Sequence, residues 1–458
     1  VTAVTTAQAQ HGLSRLHPLT PLLRGARALA VIVAAISWQG FAQLGLSRWL
    51  LLVLALLVLA LVLAAVSWLV TGYAVVDREL RIAEGLMFRR HRTIPLERLQ
   101  AVDVVRPVLA RLTGLAELKL EVMGAHKTEA PLSYLSLRQA ALLREHLLAA
   151  AAADRASVPA PPAVADPDAA TVPLMPPDEI TLPGAVSGER LVHAVADRRL
   201  LASQLLTAHV WVAPLALLVV ALPYLESPVW TFVGVASTVT ALGGVLARPV
   251  RRIVDDWHFR IGAGPAGLTL RHGLLETRVQ TLPVRRVQAV GVTWPLLWRM
   301  AGWVHASIDV AGYGAHDRQT ETHVDRLLPV AAPGIARRVV ADVLGGVDFA
   351  GLRPVPAPRR ARWLAPLRQP KLGVAVHDSV LAIWDGWLTR ELVLVPYARV
   401  QSVRVVQGPV RRAFRLADVH VDIAGALRAV ATHRDAREAY ALVEELSRRA
   451  RAARSRPA

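Results

Sequence analysis

The same eight residues recur three times at fixed offsets, and this constrains the chain more than any other feature. Gly85 is followed by Pro95, Arg98, Gln100, Val102, Val104, Arg111 and Gly124. The same columns return as Gly273, Pro283, Arg286, Gln288, Val290, Val292, Arg299 and Gly312. They return again as Gly386, Pro396, Arg399, Gln401, Val403, Val405, Arg412 and Gly425. Each glycine-to-glycine distance is 39, without a gap. Chance would give about one such column or fewer, so the chain holds three copies of one structural unit.

Each copy reads alike. Turn formers between alternating or β-branched residues predict an opening strand pair: Tyr73–Val76 with Glu79–Ala83, Phe259–Ile261 with Leu268–Arg271, and Gly373–Val376 with Val380–Trp384. The first repeat glycine allows a tight turn. A strand then leads into Pro-x-x-Arg-x-Gln, and Val-x-Val continues as another. After a short segment (Pro107–Gly114, Pro295–Gly302, Pro409–Arg415) come further strands (Glu117–Val122, His305–Val310, Asp418–Ile423). Helical spacing closes the units at Ser136–Ala150, Pro333–Leu344 and Asp435–Ala450, as in Ala439, Leu442, Val443 and Leu446. This order predicts a small, curled, mostly antiparallel sheet capped by a C-terminal helix.

At TIPLERLQAVDV (93–104), TLPVRRVQAVGV (281–292) and LVPYARVQSVRV (394–405) the chain resembles the bacterial pleckstrin-homology-like (PH-like) membrane proteins of the YdbS/YdbT type. Its plan resembles the longer, YdbT-like members. The resemblance implies a PH-like fold and a membrane-bound protein, often accompanied by a shorter single-domain relative. It implies no established activity and no catalytic residues.

Between the repeats the hydrophobic residues, 53% overall, gather in blocks. Residues 28–46 and 49–70 carry no charge, and 205–225 and 229–247 follow the same pattern. About 20 apolar helical residues span a bilayer core, so the blocks predict two transmembrane hairpins. Arg15, Arg24, Arg27, Arg78 and Arg81 flank the first pair; Arg198, Arg199, Arg248, Arg251 and Arg252 flank the second. The excess of arginine over the turn residues Arg48 and Glu226 predicts both termini in the cytoplasm of a bacterial inner membrane. The expected fold class is therefore a mixed, multi-pass membrane protein: four transmembrane helices plus three PH-like α+β domains. The expected order is an N-terminal segment 1–27, hairpin 28–70, domain 71–150, linker 151–204, hairpin 205–247, domain 248–345, basic linker 346–370, domain 371–450 and tail 451–458.

Composition narrows the chemistry. The absence of cysteine excludes disulfides, thiol catalysis and cysteine-ligated metal. The net charge of +18, nearly all arginine, suits anionic lipid headgroups. Nucleic acid is not expected, because no aromatic–basic RNA motif accompanies the charge. The run Gly262-Ala263-Gly264-Pro265-Ala266-Gly267 matches a dinucleotide fingerprint in letters only. No helix opens on it, Leu268-Thr269-Leu270 continues as a strand, and the ribose-binding acid is missing. In the repeat register it is a hairpin turn. His316, Asp317, His323 and Asp325 read as a solvated segment, and Asp255, Asp256 and His258 as polar residues beside the membrane. No catalytic, cofactor or metal residue is assigned, and neither cofactor nor enzymatic activity is expected.

Arg98, Arg286 and Arg399 could grip a carboxylate or phosphate. Their recurrence in every copy favours a fold-making role. Arg359, Arg360, Arg362 and Trp363 form a basic, aromatic stretch suited to resting on the inner leaflet. Trp294, Trp298, Trp384 and Trp387 fit either the core or that interface. The leading expectation is an inner-membrane scaffold whose domains bind a peptide, protein or lipid partner, including a shorter relative or another membrane protein. The other is a component of a transport or export complex acting with a partner subunit.

Overall fold

The computed structural model describes residues 14–15, 47–49, 51–59, 61–62, 65–66, 72–76, 79–84, 90–96, 99–122, 129–156, 190–207, 243–244, 247–264, 267–310 and 326–455. The first repeat comprises β1 (Ser14–Arg15), β2 (Gly72–Val76), β3 (Glu79–Glu84), β4 (Arg90–Pro95), β5 (Leu99–Arg106), α1 (Val108–Leu112), β6 (Leu115–Val122), β7 (Glu129–Ser136) and α2 (Leu137–Ala156). Next come β8 (Arg190–Ala194) and α3 (Asp197–Leu205). The second repeat runs through β9 (Arg260–Gly264), β10 (Gly267–His272), β11 (Thr277–Leu282), β12 (Val287–Trp294), α4 (Leu296–Met300), β13 (Val304–Val310), β14 (Leu328–Ala331) and α5 (Pro333–Val343). The third adds β15 (Val355–Pro356), β16 (Gly373–Val376), β17 (Val380–Asp385), β18 (Arg390–Pro396), β19 (Val400–Val406), α6 (Pro409–Ala413), β20 (Leu416–Ile423), β21 (Ala429–Asp435) and α7 (Ala436–Ser455).

The chain divides into two compact units, Val1–Ser187 with Glu276–Gln280, and Gly188–Leu275 with Thr281–Ala458. In the first, β1-β2-β3-β4 form one antiparallel sheet. In the other sheet β5 pairs with β6, β6 with β7, and Thr277–Val279 lies against Val104–Arg106. Leu80, Ile94, Val102, Leu118, Leu120 and Leu135 bury the inward faces against Ala140 and Leu147 of α2. Ser136 starts α2 as a capping box: Gln139 N donates to Ser136 Oγ (3.3 Å), and Ser136 N to Gln139 Oε1 (3.3 Å).

In the second unit β8-β9-β10 are paired antiparallel. A seven-stranded sheet has the order β14-β13-β12-β18-β17-β16-β15, and β19-β20-β21 form a three-stranded one. The seven-stranded sheet thus joins the later strands of the second repeat to the opening strands of the third. Its neighbour is closed by α7, whose Ala439, Leu446 and Ala450 pack on Leu381, Val395, Tyr397, Val419 and Ala431. Asp435 caps α7, accepting from Arg437 N at 2.9 Å.

The order of elements follows the alternation and turn signals, but the three closing helices differ from the expected bounds at their ends, and α2 and α7 run past 150 and 450. The short strands β8 and β15 and helix α3 fall in stretches read as linkers. Gly114, Gly302 and Arg415 share one repeat column and one left-handed conformation, with φ +70, +67 and +52. Only glycine takes it without strain. Arg415→Gly should therefore raise stability by about 0.5–1 kcal/mol, read as a higher denaturation midpoint. A fall would mean that the arginine side chain contributes more than its backbone strain costs.

The expected fold class requires correction. Among the described residues no helix is long and apolar enough to cross a membrane. Spanning needs length and apolarity together. The long helices are charged, with Arg138, Arg144 and Glu145 on α2 and Glu444, Arg448 and Arg451 on α7. Residues 51–59 are apolar and helical, but the described residues there do not make a spanning helix. Blocks 28–46, 208–225 and 229–242 lie outside the described residues. What is described is rich in antiparallel sheet, and four transmembrane helices are not part of it.

Candidate interaction surface

The Pro-x-x-Arg column forms a bend between two sheets. Pro283 leads into the 3-10 turn Val284–Arg286, closed by Arg286 N donating to Pro283 O at 2.9 Å. Pro396 leads into its counterpart Tyr397–Arg399. The Arg399 guanidinium donates to the Arg285 carbonyl, so one repeat's arginine clasps the preceding repeat's bend. Buried Gln288 donates from Nε2 to Arg286 O at 3.0 Å, whereas Gln401 in the same column is exposed. Pro95 ends β4 and Gln100 lies in β5. Gly273 (φ +111) and Gly386 (φ +89) make the tight turns that their column demands. Gly425 packs directly on the Asp309 carboxylate, which also accepts from Leu427 N at 2.7 Å. Gly85, Arg98, Gly124 and Gly312 lie outside the described residues, as do His316, Asp317, His323 and Asp325. Those described lie at bends and sheet junctions and do not converge on one pocket.

The glycine-rich run is an antiparallel hairpin, with Gly264 opposite Gly267. Asp256 is buried and takes Arg326 Nη1 at 2.6 Å, so it serves an internal ion pair. Nearby His305 is pushed down to about 4, first by burial and then by the charges of Arg252 and Arg326.

The basic stretch is a 3-10 helix, Arg359–Trp363, anchored by buried Ala361. Its members divide. Arg360 turns inward to Asp435 and to the Arg415 carbonyl (3.1 Å). Arg359 and Arg362 are exposed, and Trp363 is 82% exposed. Arg368 holds both Asp385 oxygens, at 2.7 and 2.6 Å, next to the Gly386 turn. That turn presents Trp387 and Leu388, about half exposed, and Leu367 is also exposed. Leu367 and Leu388 are additions that sequence reasoning missed. The available signal was an apolar pair directly after a turn glycine, where solvated residues are usual.

Tyr397 supports this face from inside. Its hydroxyl donates to His377 O at 2.9 Å, and Arg449 lies 5.6 Å above its ring. Burial pushes the phenol up to about 12. Fully buried Arg434 donates to Val355 O at 2.9 Å and pairs with Glu438, tying β15 to α7.

A bend, a strand, a short helix, two strands and a closing helix, three times over, define a repeated sheet-and-helix module. The chain belongs to the Bacterial PH domain family, whose model matches residues 27–151, 205–339 and 335–450. It is also similar to the UPF0699 transmembrane protein YdbT of Bacillus subtilis (strain 168), with 26% identity over 277 residues, 56% of this chain and 52% of that protein. The chain thus spans about half the length of the curated relative it matches. No solved structure matches.

Proposed function

We propose that this chain is a membrane-associated scaffold at the cytoplasmic face of the bacterial inner membrane, whose PH-like domains bind a peptide, protein or lipid partner. The observation that carries the reading is exposed Trp363, flanked by Arg359 and Arg362 on a helix anchored through Ala361 and Arg360. Tryptophan favours the headgroup region, and each nearby arginine adds about 1 kcal/mol of attraction to an anionic leaflet. The transmembrane name of the Bacillus subtilis relative supports membrane association.

The lack of native cysteine makes a clean probe possible. Trp363→Cys in the full chain is labelled with an environment-sensitive fluorophore and mixed with vesicles. Emission should shift to the blue with phosphatidylglycerol vesicles and not with phosphatidylcholine. Adding Arg359→Glu and Arg362→Glu should weaken that response at least about tenfold. Identical emission in both vesicles would overturn the reading.

A further inference from the structure

One strand column meets three environments. In the first copy β5 is covered by Thr277–Val279 of β11, and in the second β12 is covered by β18. Both junctions use one register: Val104 faces Val279, and Val292 faces Leu392, which are the same repeat columns. In the third copy β19 is an edge strand among the described residues. Burial follows this difference. Val102, Asp103, Val104 and Val105 are buried, and so are Val287–Val292, whereas Gln401, Ser402, Arg404 and Val406 are exposed. The bulge that begins the strand occurs in all three copies, so it does not prevent pairing.

The complementary element is also uncovered among the described residues. β4 belongs to the column of β11 and β18, and it is the edge of its sheet among the described residues. Among the described residues the repeat therefore leaves one acceptor edge and one donor strand over. An exposed strand edge is a template for another chain.

We propose that β19 takes β4 of a second copy of this chain, so that copies join head to tail in the register already used twice. The inference goes beyond the scaffold reading and depends on neither bilayer nor lipid. Carrying the columns forward sets Val405 opposite His91 and Val406 opposite Arg90 of the next copy. Arg404 then faces Arg92, a like-charge pair that costs stability. Asp422, 3.2 Å from Arg404, is the carboxylate that offsets it. Because each copy offers one β4 and one β19, the contact is heterologous and builds rings or filaments.

Directly opposed residues in antiparallel strands lie at disulfide distance, and no native thiol competes. The test uses the full chain in unfractionated lysate under mild oxidation. Arg90→Cys/Val406→Cys should give a ladder of multimers that collapses on reduction, whereas the two single variants co-expressed should stop at a 90–406 dimer. This dimer should form at least tenfold faster than a control of Arg90→Cys with Arg437→Cys, an exposed position at the start of α7. Adding Arg404→Glu, opposite Arg92, should raise the yield. Four results would overturn the proposal: a rate equal to the control, a disulfide closed within one chain, Val406→Cys pairing with itself as fast as with Arg90→Cys, or its capture of a host protein instead of a second copy. Vesicle binding by the Trp363 probe is a separate readout, so the two readings can fail independently.

Discussion

Gly386→Ala should destabilise the third repeat by about 2–4 kcal/mol. Gly386 sits at φ +89, and a Cβ there would be driven onto the Thr389 carbonyl oxygen. That oxygen belongs to the backbone of the same turn, so it cannot rotate aside as a side-chain end would. Relief requires the β17–β18 turn to open, yet Trp384 and Leu392 on either side are locked in register. β18 is also the strand that β12 pairs with, so the strain reaches the junction between the second and third repeats. Gly302→Ala is the matched control. It has a positive φ of +67 but open space around its Cβ, so it should lose only about 1 kcal/mol. Denaturant unfolding measures both, and faster hydrogen exchange in β18 should accompany only the first. Equal losses would show that backbone strain alone, and not the clash, sets the cost.

The Gly273 and Gly386 column was legible because left-handed backbone is a local demand that one residue type meets. The strand order within a repeat was legible for a similar reason, since alternation reports which face is buried. Pairing between repeats was not. β12 meets β18 through backbone groups, which no letter of the sequence encodes. The side-chain trace is indirect: Gly291 and Thr293 on covered β12 correspond to Arg404 and Val406 on uncovered β19. The basic stretch was legible in composition and not in direction. A 3-10 helix has three residues per turn, which aligns Arg359 with Arg362; Arg360 is drawn inward by Asp435, while Trp363 at the helix end stays exposed. Most residues of the apolar blocks lie outside the described ones, and among the described residues no helix combines the length and apolarity of a span. The described residues place length in α2 and α7 and apolarity elsewhere.

Asp103→Asn should abolish a pH dependence of stability that the wild-type chain carries at its first repeat junction. Asp103 is buried on β5, and burial raises its carboxyl from the ordinary 3.8 to about 7. The opposing influences are weaker: a hydrogen bond with Gln280, then the charges of Arg144 on α2, Arg278 on β11 and Lys119 on β6. Gln280 and Arg278 belong to the strand that covers β5, so the carboxyl reports on that contact. The sign follows from proton counting. Between about pH 4 and 7 the unfolded chain has released this proton while the folded chain still holds it. Stability is therefore fullest below pH 4, falls as pH rises through this window, and levels off above 7. A shift of about three units corresponds to on the order of 4 kcal/mol. Asparagine keeps the shape and the hydrogen-bonding capacity without the charge. The variant should match wild type near pH 4, exceed it by up to about 4 kcal/mol at pH 8, and keep Val102–Val105 protected from exchange at both. Denaturation midpoints across this range measure the difference. A gap between the two chains that stays constant from pH 4 to 8 would mean that Asp103 is ionised throughout and that its neighbouring cations outweigh its burial.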